Sequence, residues 1–219
     1  MLELLLLAFF LGFKHSYDAD HLVAVAAFIP KAKTFRESVG MGVAWAVGHM
    51  LTATIITVLI FMFKDAVISF FDKFEIIVAV MLIVLGVISL RQAKIFHLHR
   101  HTHAKEHKKH EHIHLKKEHN QHAHKHMFGI GIIHGLASND ELLTLITITL
   151  GISTLAGMIA GVAVFSIGVV AGMVVFSLVL SYPLLKSRQE EIVKWVHIIV
   201  GIASIVYGSY MLAGIFQVI

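Results

Sequence analysis

A chain of 219 residues that is 57% hydrophobic, 15% charged and contains 2 prolines has more apolar surface than one soluble domain can bury, so it reads as a membrane protein. The formal charge of +4 reflects the placement of lysine and arginine around the membrane and calls for no nucleic-acid partner. The absence of cysteine excludes disulfide frameworks and thiolate sites, and the lack of period-2 alternation excludes a closed β-barrel.

About 20 helical residues cross a hydrocarbon core of roughly 30 Å. Apolar runs of that order lie at about 2–29, 39–63, 74–92, 127–150, 155–182 and 193–216. The expected fold is therefore all-α, a polytopic membrane protein of about six transmembrane helices. It divides into a first three-helix unit (1–92), a histidine-rich loop (93–126) and a second three-helix unit (127–219). Span one has no basic n-region and no small-residue cleavage site, so it is kept as part of the working protein rather than read as a signal peptide.

Span one carries Lys14, His15, Asp18, Asp20 and His21 in the text KHSYDADH. A charge at the centre of a span costs about 2.5–3.5 kcal/mol on insertion scales, so such a cluster is expected to face a cavity or a partner. On a straight helix His15, Asp18 and His21 fall within an arc of about 120°, with Asp20 about 100° from His21. One face then offers two imidazoles and a carboxylate, and Asp20 orients a ligating imidazole through its other nitrogen. If the helix is unwound here, with Gly12 loosening the turn, all four side chains converge. A polar network that only holds helices together is the competing reading, and an expensive one.

In span two, AWAVGHMLTAT presents His49 as the one titratable residue of that segment. With the span-one cluster available to meet it, His49 is a candidate ligand or a residue that orients one. The loop that follows span three holds twelve of the 17 histidines, from His97 to His126, among lysines and few apolar residues. Such a segment cannot build a core and is expected to be disordered without metal. Its imidazoles suit nickel, cobalt, zinc or copper(II), which makes it a buffer or sensor; a solvated basic loop that merely fixes topology would account for the lysines but not the histidines.

Span four opens with GIGIIHGLASNDELLTLI, and laid against span one it pairs Gly131 with Gly12, His134 with His15, Asn139 with Asp20 and Asp140 with His21. His134, Ser138 and Glu141 share a narrow face, with Asp140 to one side. Three spans precede the loop and three follow it, so the second unit enters the membrane from the opposite side. That is a 3+3 inverted repeat, whose substrate site normally lies near the midplane between the units. In span six, Trp195 and His197 sit near the edge and are expected at the membrane interface.

All of the 18 basic residues except Lys14, Lys64 and Lys73 fall in the connections after spans one, three and five or, for Arg91 and Lys194, at the span ends that border them. The positive-inside rule places those connections in the cytoplasm and both termini outside.

His15, four residues, then Asp20 and His21 resemble the H-x-x-x-x-D-H signature of the nickel/cobalt transporter (NiCoT) family, and AWAVGH, residues 44–49, is similar to the glycine–histidine element of that family's next helix. The resemblance covers about residues 11–50. It implies a metal permease in which His15, Asp20 and His21 are metal-site residues, with His49 following. Family members have eight spans with one helix ahead of the signature helix, whereas this sequence starts on it; HGLASNDE stands where the family's second half is rich in Asp, Thr and Glu. The mid-chain histidine loop is also similar to that of bacterial nickel and cobalt efflux permeases and of ZIP-type zinc carriers, so both directions of transport stay open.

Together these features read as a transporter and not an enzyme. Its cargo is Ni²⁺ or Co²⁺, with Zn²⁺ as third candidate, and no resident cofactor is called for. The metal site would draw on His15, Asp18, Asp20, His21 and His49 from one half and His134, Asp140 and Glu141 from the other. The location is the cell membrane; partners besides the ion and membrane lipid are a second copy of the chain or a metallochaperone. The alternatives are a zinc or other divalent-metal carrier or exporter, a membrane metalloenzyme whose ion activates water, though no HExxH helix is present, and a sensor or storage protein whose loop is its whole function.

Overall fold

The computed structural model describes residues 2–68, 71–95, 121–136, 155–187 and 190–218. The described residues form α1 (Leu2–His15), α2 (Ala19–Ala26), a 3-10 turn (Ile29–Lys31), α3 (Phe35–Ile68), α4 (Phe71–Ile95), α5 (Gln121–Gly135), α6 (Leu155–Ser187) and α7 (Glu190–Val218), with no strand among them. Four stretches are long and apolar enough to cross a membrane: Phe35–Ile56 in α3, Phe74–Ala93 in α4, Ile159–Lys186 in α6 and Glu190–Phe216 in α7. Large apolar side chains such as Ile55, Ile167, Val179, Ile199 and Tyr210 point outward from these helices. That pattern suits lipid as the surrounding solvent, and the chain is an all-α, multi-pass membrane protein. The four stretches correspond to the spans expected at 39–63, 74–92, 155–182 and 193–216. The span expected at 127–150 is described only as far as Leu136, and most of the histidine-rich loop, residues 96–120, lies outside the described residues.

Span one is not a continuous helix. α1 has 14 residues and α2 has 8, and neither alone is long enough to cross the hydrocarbon. The cause lies in Ser16, Tyr17 and Asp18. Ser16 Oγ donates to the Phe13 carbonyl at 2.6 Å, a side-chain bond that competes with the helical ladder. The next two amides tighten to i→i−3 bonds, Tyr17 N to Lys14 O and Asp18 N to His15 O. Asp18 is then extended (φ −65°, ψ 146°) and its carbonyl accepts the first bond of α2, from Leu22 N at 3.1 Å. The straight-helix arrangement of the four polar side chains therefore does not form; the chain is unwound at residues 16–18.

A second break at Ala27 and Phe28 leads through the 3-10 turn, where Pro30 sits, to α3. There Thr34 Oγ1 accepts from Glu37 N and Glu37 Oε2 accepts from Lys33 N at 2.7 Å, a reciprocal cap much like a capping box.

Helix pairs approach through glycine. Any Cβ on Gly12 of α1 would overlap the Phe165 carbonyl of α6, and any on Gly168 of α6 would overlap the Phe9 carbonyl of α1. The same exchange occurs between α5 and α3, where Gly131 meets the Trp45 carbonyl and Gly48 meets the Phe128 carbonyl. In lipid, helices associate by close backbone packing of this kind, because burying apolar side chains gains little. The contacts run α1 parallel to α6 and α5 parallel to α3. Ser38 and Gly42 of α3 meet Ser177 and Met173 of α6 in the antiparallel sense. The buried apolar cluster of Met41, Trp45, Phe165, Val169 and Met173 fills this junction and walls one side of the pocket where the end of α1, the start of α2, α3 and α5 meet.

Candidate metal site

The break between α1 and α2 lets the polar residues of span one turn inward. His15 is the last residue of α1; its Nδ1–H donates to Asp18 Oδ2 at 2.8 Å, and its Nε2 lies 3.2 Å from His49 Nε2 of α3. Asp18 occupies the N-cap position of α2, yet its side chain makes no capping bond because it serves His15 instead. His21, in the first turn of α2, donates from Nδ1 to the His15 carbonyl at 3.1 Å, an acceptor left over where α1 stops. That bond fixes the tautomer of His21, so Nε2 carries its lone pair. Asp20 Oδ2 lies 3.6 Å from His21 Nε2 and 3.3 Å from His134 Nε2 of α5.

Two overlapping ligand sets result, His15 with His21 and His49, and Asp20 with His21 and His134; within each, the ligand atoms lie within 4.8 Å of one another. All four histidines are at most 5% exposed. Between His15 Nε2 and His49 Nε2 there is room for one proton, which a bound ion has to displace. His49 Nδ1 and the Trp45 indole N–H are buried with no hydrogen-bond partner among the described residues. Such atoms cost about 1–3 kcal/mol each if they stay unsatisfied.

Two aromatic side chains wall the cluster. Trp45 stacks on His49 with centroids 4.9 Å apart and planes 11° from parallel, and lies 4.8 Å from His21 and 5.5 Å from His134. Phe165 stacks on His15 at 5.8 Å. The result is a buried cluster of imidazole nitrogens and a carboxylate, donors that suit borderline dications such as nickel, cobalt and zinc. Removing water strengthens each ion–ligand attraction.

Six of the eight site residues expected from the sequence meet here: His15, Asp18, Asp20, His21, His49 and His134. Asp140 and Glu141 lie outside the described residues. The roles of the two aspartates follow from the broken helix and not from a straight one. Asp20 faces the histidine nitrogens, while Asp18, with 42% of its side chain exposed, holds His15 from behind. Trp45 and Phe165 were not singled out from sequence, although Trp45 stands one turn before His49 on the same helix face, which was the available signal. His197 is not interfacial as expected but buried: its Nδ1–H donates to Ser89 Oγ at 3.1 Å while that hydroxyl donates to the His197 carbonyl at 3.0 Å, tying α7 to α4. Trp195 is exposed. The last histidines of the tract, at 122, 124 and 126, belong to α5, and His124 packs on Gly40 beside Lys33, Arg36 and Glu37 in an open cleft.

The family model of the cytochrome C biogenesis protein transmembrane region matches residues 21–210. The urease accessory protein UreH of Bacillus sp. (strain TB-90) is 28% identical over 212 residues, which is 96% of this chain and 90% of the relative. No solved structure matches.

Proposed function

Starting from the fact that the chain belongs to the family of the cytochrome C biogenesis protein transmembrane region, we propose that it uses this membrane frame to carry a divalent transition-metal ion through the buried histidine and aspartate site. The observation that carries the reading is the convergence of His15, His21, His49 and His134 with Asp20 in a water-excluding pocket, contributed by four separate helices. Building that from charged and imidazole side chains is costly unless something replaces the lost hydration, and a dication does so. Nickel and cobalt lead the order of cargoes because the H-x-x-x-x-D-H resemblance implies them, and zinc follows from the donor set.

The name of the family points to a second reading, service to cytochrome c maturation. A thiol relay has no residue to run on here, since the sequence contains no cysteine.

The two halves are read as an inverted repeat that moves by alternating access. Its support is the matched packing: Phe9, Gly12 and His15 stand at one constant sequence offset from Phe128, Gly131 and His134, while Trp45 and Gly48 stand at one constant offset from Phe165 and Gly168. The charge distribution supports both termini outside and the histidine-rich loop in the cytoplasm, where it buffers or senses the ion.

Time-resolved movement of Ni²⁺, Co²⁺ and Zn²⁺ into proteoliposomes of known orientation tests the proposal. Saturable flux of one or more ions is expected, with His21→Ala abolishing it and deletion of 97–120 leaving a basal rate. Absence of flux for all three, or full flux in His21→Ala, removes it.

A further inference from the structure

The carrier reading treats the cluster as one site, but its geometry divides. Resting on that reading, we propose that the ion has two adjacent and mutually exclusive resting positions, and that His21 stays bound to it as it passes from one to the other.

The first position is formed by His15, His21 and His49, all from the first half of the chain. The second is formed by Asp20, His21 and His134, and it brings in α5 from the second half. A zinc-like ion bonds nitrogen and oxygen at about 2.0–2.1 Å, which sets ligand atoms about 3.4 Å apart in a tetrahedral shell. Atoms within 4.8 Å of one another therefore reach bonding distance with small movements inside each set. His21 belongs to both sets, and its Nδ1–H is committed to the His15 carbonyl. Both positions must then use the single lone pair on Nε2, so they cannot be filled together. Two ions sharing that nitrogen would also lie within about 4 Å of each other, where two dications repel strongly.

The moving part is identifiable. Asp20 and His21 ride in the first turn of α2, an eight-residue helix bounded by the break at Ser16–Asp18 and the turn at Ala27–Phe28. The remaining ligands sit on its neighbours, His15 on α1, His49 on α3 and His134 on α5. A small tilt of α2 exchanges His15 and His49 for Asp20 and His134 while the bond to His21 persists. The first position is made of neutral donors and the second includes a carboxylate, so the ion moves toward negative charge as it crosses from the first half to the second.

Trp45 offers a readout at the site, because it packs on His49, His21 and His134. In full-length Trp195→Phe protein Trp45 is the one remaining indole, since the chain has 2 Trp. Titration with NiCl₂ is followed by quenching of its emission, and Ni²⁺ flux is measured in proteoliposomes of the same protein. His49→Ala and His134→Ala are each expected to keep saturable quenching, with half-saturation raised about 10- to 100-fold, comparable to the loss of a supporting group at a metal site, while flux falls at least about tenfold. His21→Ala and the His49→Ala/His134→Ala double variant are expected to lose saturable quenching altogether. His21→Gln, His49→Gln and His134→Gln repeat the comparison with polar side chains if an alanine variant fails to fold. One indivisible site, shown by His49 or His134 variants as empty as the His21 variant, overturns the proposal; so does saturable quenching that survives at position 21. If the parent protein shows neither quenching nor flux, the carrier reading itself falls. A parent with both, whose variants behave alike, removes only the two-position transfer.

Discussion

Asp18→Ala isolates the difference between holding an ion and holding its ligand. In the structure the carboxylate accepts one bond, from His15 Nδ1 at 2.8 Å, and 42% of its side chain is exposed. Charge-assisted bonds are worth about 1.5–3 kcal/mol when buried; water competing for a half-exposed carboxylate places this one near the lower end, about 1–2 kcal/mol. Losing it frees the His15 ring to rotate and to change tautomer, so Nε2 no longer points by default at His49. The corresponding loss in affinity is about 5- to 30-fold, which overlaps the 10- to 100-fold range seen when groups behind a metal ligand are removed. Asp18→Asn keeps an acceptor without the charge and should lose less than Asp18→Ala. Half-saturating Ni²⁺, read from Trp45 quenching in Trp195→Phe protein and from initial rates in proteoliposomes, should rise in this order while the maximal rate is largely kept. A loss in Asp18→Ala as complete as in His21→Ala would mean that Asp18 binds the ion directly. No change would mean that the bond to His15 is idle, and either result refutes the role assigned here.

Gly131→Ala should separate packing from chemistry, because the new Cβ meets the Trp45 carbonyl and lies 3.0 Å from His49 N, both backbone atoms that cannot swing aside. α5 must retreat by about 1 Å, at an overpacking cost of about 1–3 kcal/mol, and His134 one turn later moves away from Asp20. Thermal unfolding in detergent should report the lower stability and Ni²⁺ flux the loss of transport; wild-type flux would show that the α3–α5 approach does not set the site. Ser89→Ala should do the reverse, since the Ser89–His197 pair lies between α4 and α7, away from the ligands. It removes the two bonds that Ser89 makes to His197, at a cost of about 0.5–1.5 kcal/mol each. A lower unfolding temperature with unchanged half-saturation for Ni²⁺ is expected, and altered metal affinity would contradict that separation.

The four long helices are legible in the sequence because lipid-facing segments must be apolar on nearly every side, a pattern that survives any detail of packing. Span one was harder to read. Its length fits one helix, and the pattern leaves a straight helix, with Asp20 behind the ligands, and an unwound one, with all four polar side chains together, both open. The information that decides for the break is local: Ser16 and Asp18 are short polar side chains that bond to nearby backbone or side chains, and together they end one helix and begin another. His134 was visible only as the partner of His15 in the internal comparison. His197 was misread because its place near a helix end outweighed its register. It shares a face with Gly201, Ser204 and Gly208, small residues that mark where α7 packs closely on α4.

Read as a repeat, the two halves keep what packing demands and diverge where chemistry begins. Gly12 and Gly131 each bring a helix onto a neighbour's backbone, and His15 and His134 each follow one turn later. Beyond them the likeness fails: the position matching His49 is Val169, and the one matching Trp45 is Phe165, both buried and both without a metal ligand atom. The close glycine contacts recur in both halves, while most donors sit in the first half and α5 brings His134. A symmetric cluster would hold an ion equally from both sides and give it no reason to leave the midplane. An ion here meets different donors on its two sides, so a modest tilt of α2 changes its ligands, and with them its free energy, without dismantling the frame.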